Sequence, residues 1–257
     1  MSDNLKIALI QTHLNWENPL ANRNNFEKKI NSISEEVDLI ILPEMFTTGF
    51  TMTPQHLAAS ESETTVAWMK KQATIAKAAI IGSMVYQEGD KFYNRLLFVD
   101  PDGSTKHYDK KHTFTLAYED KVYQAGKTRL ILEYKGFKLC PLICYDLRFP
   151  VWARNTEAYD VLIYVANWPK PRINAWDTLL KARAIENMAY TIGVNRIGTD
   201  DLGHEYSGHS AVYNVLGETM VHAEKETILY AQLEREHIIS TRNKLKFLDD
   251  QDAFSLK

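Results

Sequence analysis

Short apolar runs alternate along the chain with segments whose apolar residues recur at helical spacing. Several runs are continuously apolar rather than alternating with polar residues, which predicts strands buried on both faces. The runs predicted as strands are LKIALIQ (5–11), VDLIIL (37–42), AIIGSMVY (79–86), RLLFVD (95–100), RLILEY (129–134), FKLCPLIC (137–144), DVLIYVA (160–166), YTIGVNRI (190–197), SAVYNV (210–215) and TILYAQL (227–233).

Helices are predicted over residues 18–35, 62–78 and 174–189. Ser60 with Glu63 fits a capping box for the second helix, and Asn174 fits the N-cap of the third. An early β-α-β-α order followed by hairpin-like strands predicts an α/β fold whose sheets are covered by helices. Pro141 conflicts with this pattern, because proline inside a sheet is usually confined to an edge or a bulge.

One domain is expected for the 257 residues, because no low-complexity segment, internal repeat or flexible linker interrupts the chain. Apolar residues make up 45% and charged residues 25%, as in an ordinary globular protein with a sizeable core. The formal net charge of −3 argues against nucleic acid or anionic lipid as a partner. The longest apolar runs have about seven residues, too few to span a bilayer.

Two features predict a cytoplasmic protein. The N-terminus, MSDNLKIALIQTHLNW, lacks the basic and apolar regions of a signal peptide. Cys140 and Cys144 are the two cysteines, and on one strand they would lie roughly 13 Å apart at ~3.3 Å per residue. A disulfide requires Cα atoms within about 7 Å, so these cysteines are expected to stay unbridged, which fits a reducing compartment.

Cys144 is the candidate nucleophile. It ends an apolar strand and precedes the turn-forming residues YDLRFP. Such a turn can present the sulfur at the end of a sheet, as a nucleophile elbow presents a serine. The alternative interpretation is an inert buried thiol, since free cysteine is among the most buried residue types, and for Cys140 it is the sole interpretation.

Glu44 and Lys110 are charged residues that can assist a thiol. Glu44 follows the apolar run VDLIILP, where an unpaired carboxylate is costly to bury, and a carboxylate there suits general-base catalysis. Lys110, in KHYDKKHTF, is expected to lower the pKa of a nearby thiol and to stabilise an oxyanion. The alternatives are a solvated turn for Glu44 and a solvated basic patch for Lys110 and Lys111.

Histidines offer two rival sites. His112, His204 and His209 are candidates for a papain-like pair with cysteine, although no surrounding segment resembles that family. Glu205 with His204 and His209 also suggests a metal site. The spacing fits no helical ligand pair and Gly208 indicates a loop, so no metal is expected.

Three segments together resemble the nitrilase (carbon–nitrogen hydrolase) superfamily. They are LPEMF (42–46), YDKKHTF (108–114) and CYDLRFP (144–150), and they occur in the order typical of that family. The resemblance runs from about residue 5 to about residue 235. It extends to the bacterial omega-amidase branch through CYDLRFPVWARN, YVANWPKPR, WDTLLKARAIENMAY and the tail NKLKFLDDQDAF.

Matching these motifs residue by residue implies the roles of four active-site residues. They are Glu44 as the base, Lys110 as the lysine, Cys144 as the nucleophile and Glu119 as a second glutamate. Lys110 is chosen over Lys111 because it lies two residues before His112. Thr113 departs from the leucine that is usual in the family, which leaves the lysine assignment intact.

The resemblance implies a four-layer α-β-β-α sandwich, with one domain over residues 1–257. Its core is expected over about 5–235, with a C-terminal extension over about 236–257. Assembly into a symmetric homodimer is implied, and no metal or organic cofactor. The implied reaction is amide hydrolysis through a thioester, with the Lys110 ammonium and the backbone N–H of Tyr145 holding the oxyanion.

The omega-amidase resemblance implies short 2-oxo acid monoamides, such as 2-oxoglutaramate and 2-oxosuccinamate, as substrates. Arg148, four residues after the nucleophile, is predicted to bind the substrate carboxylate bidentately. The alternative is a structural ion pair between Arg148 and Asp146 or Glu157. Trp168, in ANWP, is predicted to form an apolar wall that limits chain length.

Two alternatives to this function remain open from the sequence. One is another branch of the same superfamily, such as a deaminated-glutathione amidase, a nitrilase proper or a carbamoylase. The other is a catalytically silent member that serves as a binding or scaffold subunit. The presence of all three catalytic residue types argues against the second alternative.

Overall fold

The computed structural model describes residues 3–255 and contains two mixed six-stranded sheets flanked by helices. The last two residues of the predicted C-terminal extension and the first two of the chain lie outside this range. The fold class predicted from the sequence, α/β with sheets covered by helices, is confirmed.

The first sheet has the strand order β14-β1-β2-β3-β4-β5. Its strands are β1 (Asn4–Gln11), β2 (Leu39–Ile41), β3 (Ala79–Glu88), β4 (Lys91–Val99), β5 (Thr105–Asp109) and β14 (Thr227–Glu234). The three central strands β1, β2 and β3 are parallel, and the outer pairings are antiparallel.

The second sheet has the order β13-β12-β9-β8-β7-β6. Its strands are β6 (Leu132–Tyr134), β7 (Phe137–Ile143), β8 (Val161–Ala166), β9 (Tyr190–Asn195), β12 (Ser210–Tyr213) and β13 (Thr219–Ala223). Strands β7, β8 and β9 form its parallel centre. A separate hairpin consists of β10 (Ile197–Thr199) and β11 (Glu205–Ser207).

Six α-helices occur within residues 3–255. They are α1 (Pro19–Asn31), α2 (Glu61–Ala76), α3 (Glu119–Val122), α4 (Pro150–Ala153), α5 (Ile173–Asn187) and α6 (Arg235–Leu245). No helix in this range combines the length and apolar character needed to cross a membrane.

Alternate residues of the central strands face two different cores, which explains why these runs are continuously apolar. In β1, Leu5, Ile7 and Leu9 belong to the core between the sheets, which also contains Leu142 and Val161 of the second sheet. Ala8 and Ile10 face the opposite side, where a second apolar cluster includes residues of α1 and α2. Burial on both faces therefore produces the layered arrangement.

Several predicted boundaries are wrong in detail. The strand predicted over 129–134 comprises only Leu132–Tyr134, and the strand predicted over 190–197 divides into β9 and β10. Pro141 does lie within β7, but β6 pairs only with residues 137–139, so β7 has a neighbour on one side alone at the proline. This resolves the conflict, because the missing N–H is tolerated where one flank of the strand is unpaired.

Both predicted capping motifs are also wrong. Ser60 occupies the N-cap of α2 with ψ near 0° rather than extended, and its side chain makes no capping hydrogen bond. Asn174 lies inside α5, which begins at Ile173 directly after a 3₁₀ turn over Lys170–Arg172. Pro171 has a φ suited to the first turn of a helix, so helical conformation starts before the asparagine.

Candidate active site

The predicted site residues come from the ends of strands in both sheets. Glu44 follows β2 and Lys110 follows β5 in the first sheet, whereas Cys144 follows β7 in the second. Glu119 begins the short helix α3. Since residues at the carboxyl ends of neighbouring parallel strands share an edge, the layered fold brings segments that are distant in sequence together.

Glu44, Lys110 and Glu119 form a buried ionic cluster. The Lys110 ammonium donates to Glu44 Oε1 at 2.9 Å and to both oxygens of Glu119, at 2.9 and 3.1 Å. None of the three side chains is more than 1% exposed. The solvated alternatives for Glu44 and Lys110 are therefore wrong.

Two asparagines that the sequence analysis missed complete this cluster. Asn94 Nδ2 donates to Glu44 Oε1 at 2.8 Å and to Glu119 Oε1 at 3.2 Å. The backbone N–H of Asn167 donates to Glu44 Oε2 at 2.8 Å, which joins the two sheets at this point. A signal was available for Asn94, because it is a polar residue next to an apolar strand run, and for Asn167, because it precedes Trp168 in ANWP.

Cys144 stands on a sharp turn between β7 and a 3₁₀ turn over Cys144–Arg148. Its φ of +41° lies in the left-handed region, which is strained for a residue other than glycine. The residue is half-buried and lines the same cavity as Glu44 and Lys110. The predicted elbow-like presentation of the sulfur therefore has a geometric basis in this turn.

Asp146 holds that turn in place. Its buried carboxylate accepts hydrogen bonds from the Ile143 N–H at 3.1 Å and from the Tyr108 hydroxyl at 2.7 Å. It also accepts the His112 N–H at 3.0 Å. The segment that carries Lys110 and the turn that carries Cys144 are thus tied through one carboxylate.

The three candidate histidines do not converge on a common site. His112 Nδ1 lies 2.8 Å from Asp146 Oδ1, and its ring stacks on Phe149 with centroids 3.7 Å apart. His204 is exposed at the rim of the cavity. His209 Nδ1 lies 2.9 Å from Asp177 Oδ2.

The metal ligands considered from the sequence also diverge, because Glu205 pairs with Lys170 at 2.7 Å. His209 instead lies with Asp177 and His222 in a cluster whose potential ligand atoms are within 4.8 Å of one another. These three residues could together hold a metal ion, but none of them lines the cavity that contains Cys144.

Burial dominates the electrostatics of the site. It raises the pKa of the Cys144 thiol well above its ordinary value; Glu44 adds to the rise and Lys110 opposes it. Lys110 therefore acts on the thiol pKa in the expected direction, but desolvation and the Glu44 carboxylate outweigh it, so the net shift is upward. The thiol is neutral at rest and needs an acceptor for its proton.

The two other charged groups respond differently to burial. Desolvation would lower the pKa of Lys110, but Glu119 and Glu44 outweigh it and hold that pKa above its ordinary value, so the amine stays protonated. Burial raises the pKa of Glu119, against the opposing attraction of Lys110. The cluster therefore retains a permanent cation next to the sulfur.

The cavity in front of Cys144 has a volume of about 240 Å³, which suits a small substrate. Its apolar and aromatic walls comprise Phe50, Phe114, Leu116, Trp168 and Tyr206. Trp168 is only 3% exposed, and its Nε1–H donates to the carbonyl of Arg172 at 2.8 Å, so this wall is fixed. Tyr145 also lines the cavity, and its ring contacts that of Phe114 at 4.9 Å.

Arg148 lies in the cavity with its guanidinium 4.8 Å from the centre of the Trp168 ring. The ion pairs considered for it from the sequence do not form. Asp146 is occupied by Tyr108 and His112, and Glu157 pairs with Arg129 instead. The guanidinium therefore faces the cavity without a carboxylate partner among residues 3–255.

Comparisons with known proteins agree with this geometry. The model of the carbon–nitrogen hydrolase family matches residues 6–243. The chain is 44% identical to the omega-amidase YafV of Yersinia enterocolitica, over 98% of both chains. It is 32% identical to the 2-oxoglutaramate amidase of Bacillus subtilis (strain 168), over 95% of this chain and 96% of that protein. The crystal structure of XC1258 from Xanthomonas campestris, a CN-hydrolase superfamily protein with an arsenic adduct in its active site, superposes with a TM-score of 0.96 at 38% identity, covering 100% of both chains.

Replacing Glu44 by glutamine should lower the pKa of the Cys144 thiol, because it removes the larger of the two negative charges, Glu44 and Glu119, that oppose the effect of Lys110. Titration of the thiolate by its ultraviolet absorbance, with Cys144→Ala as the blank, measures the midpoint. The blank also removes the contribution of Cys140, whose pKa burial raises to about 12. An unchanged or higher midpoint in Glu44→Gln would contradict the electrostatic description of the site.

Proposed function

Because the chain belongs to the carbon–nitrogen hydrolase family, we propose that it is an omega-amidase whose substrates are short 2-oxo acid monoamides. The products are the 2-oxo dicarboxylate and ammonia, with 2-oxoglutaramate and 2-oxosuccinamate as the model substrates. One observation carries the proposal. A strained cysteine and an ionic cluster share a small cavity with an arginine that has no carboxylate partner among the described residues.

Acylation begins with the neutral Cys144 thiol and Glu44. Glu44 takes the thiol proton as the sulfur attacks the amide carbon, and it then delivers that proton to the departing ammonia. The carbon–nitrogen bond breaks and a thioester to Cys144 remains. The raised pKa of the thiol supports a base-assisted attack rather than a preformed thiolate.

Deacylation uses the same carboxylate. Glu44 removes a proton from water as the water attacks the thioester carbonyl, and it passes that proton to the sulfur as the carbon–sulfur bond breaks, which restores the thiol. In both steps the Lys110 ammonium and the backbone N–H of Tyr145 stabilise the negative charge on the carbonyl oxygen. Glu119 and Asn94 keep Lys110 and Glu44 in position, as their hydrogen bonds support.

Arg148 binds the carboxylate at the far end of the substrate while Cys144 attacks the amide. A planar guanidinium without a protein partner is suited to bidentate binding of a carboxylate. Trp168 supports the guanidinium from beneath, at 4.8 Å, and limits the length of the chain that fits. The proposed reaction uses groups of the protein itself and requires no metal or organic cofactor.

The cavity favours this function over a deaminated-glutathione amidase. Its volume of about 240 Å³ is adequate for a five-carbon monoamide and restrictive for a tripeptide derivative. A silent scaffold subunit is disfavoured because Glu44, Lys110 and Cys144 are all present and line one cavity.

Substitution of each of the three central residues tests the mechanism. Cys144→Ala should abolish turnover, because the attacking atom is removed. Glu44→Gln and Lys110→Ala should each lower kcat by at least about a hundredfold, since each removes a group that acts in the transition state. Ammonia release from 2-oxoglutaramate gives kcat, and far-ultraviolet circular dichroism checks the fold.

A kcat for Glu44→Gln within tenfold of the wild type would contradict this assignment. His112→Ala serves as the control, because that ring contacts Asp146 and Phe149 and should leave substantial activity. Near-total loss of activity in His112→Ala would favour a Cys–His mechanism instead.

Arg148→Ala should reduce kcat/KM for 2-oxoglutaramate far more than for a neutral amide of similar length, because only the former loses an ion pair. In the wild type the carboxylate-bearing substrate should be much the better one. If the neutral amide is equally good in the wild type, the carboxylate anchor is wrong. If the anchor exists but Arg148→Ala changes nothing, another residue supplies it.

We further propose that the protein acts in the cytoplasm, which its two free cysteines support, and that it forms a symmetric homodimer, which the family resemblance implies. Ile185 on α5 and Ile239 on α6 are exposed apolar side chains, which supports an apolar contact between these helices and a second copy of the chain. Light scattering at micromolar concentration should give twice the chain mass of 29.6 kDa. A mass of 29.6 kDa under these conditions would contradict the dimer.

A further inference from the structure

A second arginine, Arg172, lies on the wall of the cavity and has no role in the mechanism described above. It ends the 3₁₀ turn before α5, and its guanidinium is 5.3 Å from the centre of the Phe114 ring. Its carbonyl accepts the Trp168 indole N–H at 2.8 Å. The tryptophan that supports the Arg148 guanidinium therefore also fixes the backbone of Arg172.

Arg172 has no carboxylate partner among residues 3–255. Glu205 lines an adjoining surface pocket together with Arg172, but it pairs with the neighbouring Lys170 at 2.7 Å. Arg172 is half-buried on the cavity wall, so its guanidinium is available to an anionic ligand in the cavity.

The charges along the cavity wall show which ligand would be favoured. The wall contains three permanent cations, Lys110, Arg148 and Arg172, and one carboxylate, Glu44. Lys110 is already neutralised by Glu44 and Glu119. The two guanidiniums are therefore the uncompensated charge of the cavity.

We propose that Arg172 and Arg148 together form a subsite for the 2-oxo acid end of the substrate, and that Arg172 excludes the corresponding 2-amino acid. This inference rests on the proposed amidase function. A 2-oxo carboxylate offers three acceptor oxygens in one plane, which two guanidinium forks can bind together.

A 2-amino acid carries an ammonium group where the 2-oxo acid carries the carbonyl oxygen. Within this subsite the ammonium lies against the Arg172 guanidinium, and like charges repel. The one carboxylate on the wall cannot compensate, because Glu44 already accepts hydrogen bonds from Lys110, Asn94 and Asn167. The subsite therefore rejects glutamine, although glutamine has the same amide and the same carboxylate as 2-oxoglutaramate.

The test compares kcat/KM for 2-oxoglutaramate, L-glutamine and glutaramate, which has the carboxylate but no substituent at C2. The proteins are the wild type, Arg172→Gln and the control Lys170→Gln, which removes a cation from the same loop outside the cavity. Arg172→Gln should lower kcat/KM for 2-oxoglutaramate by about tenfold, chiefly through KM, as one charge-assisted hydrogen bond is lost. The preference for 2-oxoglutaramate over L-glutamine should fall by at least as much, and Lys170→Gln should keep the wild-type preference.

Two results would overturn the role of Arg172. One is a preference over L-glutamine that stays within twofold of the wild type in Arg172→Gln. The other is an equal loss for glutaramate and 2-oxoglutaramate, which would mean that Arg172 attracts anions without contacting the 2-oxo group. If the wild type hydrolyses 2-oxoglutaramate and Arg172→Gln gives either of these results, only the inference about Arg172 is wrong. A wild type that fails to hydrolyse 2-oxoglutaramate contradicts the proposed function as well.

Discussion

The burial of one ammonium between two carboxylates is the constraint on which the site depends. Lys110 is 1% exposed and donates to Glu44 and Glu119, whose side chains are both fully buried. Removing one partner from such a cluster leaves an uncompensated buried charge, which costs several kcal/mol. Both the fold and the site therefore require that the ends of β2 and β5 and the start of α3 keep their relative positions.

The turn that carries Cys144 is held by a second set of hydrogen bonds, which is linked to the ionic cluster of Lys110, Glu44 and Glu119. Asp146 collects hydrogen bonds from Ile143, Tyr108 and His112, so a strained turn in one sheet is fastened to a strand of the other. Local strain at Cys144 persists only because its surroundings over-determine it. Asn167 adds a further connection between the sheets by donating to Glu44. The position of the Cys144 sulfur relative to the Glu44 carboxylate therefore depends on how the two sheets pack together.

The sequence predicted the parts of the structure that depend on local pattern. The run 5–11 became β1 almost unchanged, because burial on both faces leaves a continuous apolar signature. Local pattern marks Asn94 and Asn167 as polar residues beside strand runs, but it does not show that both contact Glu44, which lies 50 and 123 residues away. The raised pKa of the Cys144 thiol was missed for a related reason, since desolvation depends on packing from several segments. Glu119 was predicted from the family resemblance alone, because its neighbours along the chain give no hint of its contact with Lys110.

The permanent protonation of Lys110 has a consequence for the fate of an acyl-enzyme. An unprotonated amine beside a thioester is a strong acceptor, and transfer of the acyl group to it would give a stable amide and a dead protein. In the resting site the two glutamates hold the pKa of Lys110 above its ordinary value, so its nitrogen lone pair is bound to a proton. In the proposed reaction, the ion cluster that stabilises the oxyanion also keeps this amine from attacking the thioester, which leaves water as the productive acceptor.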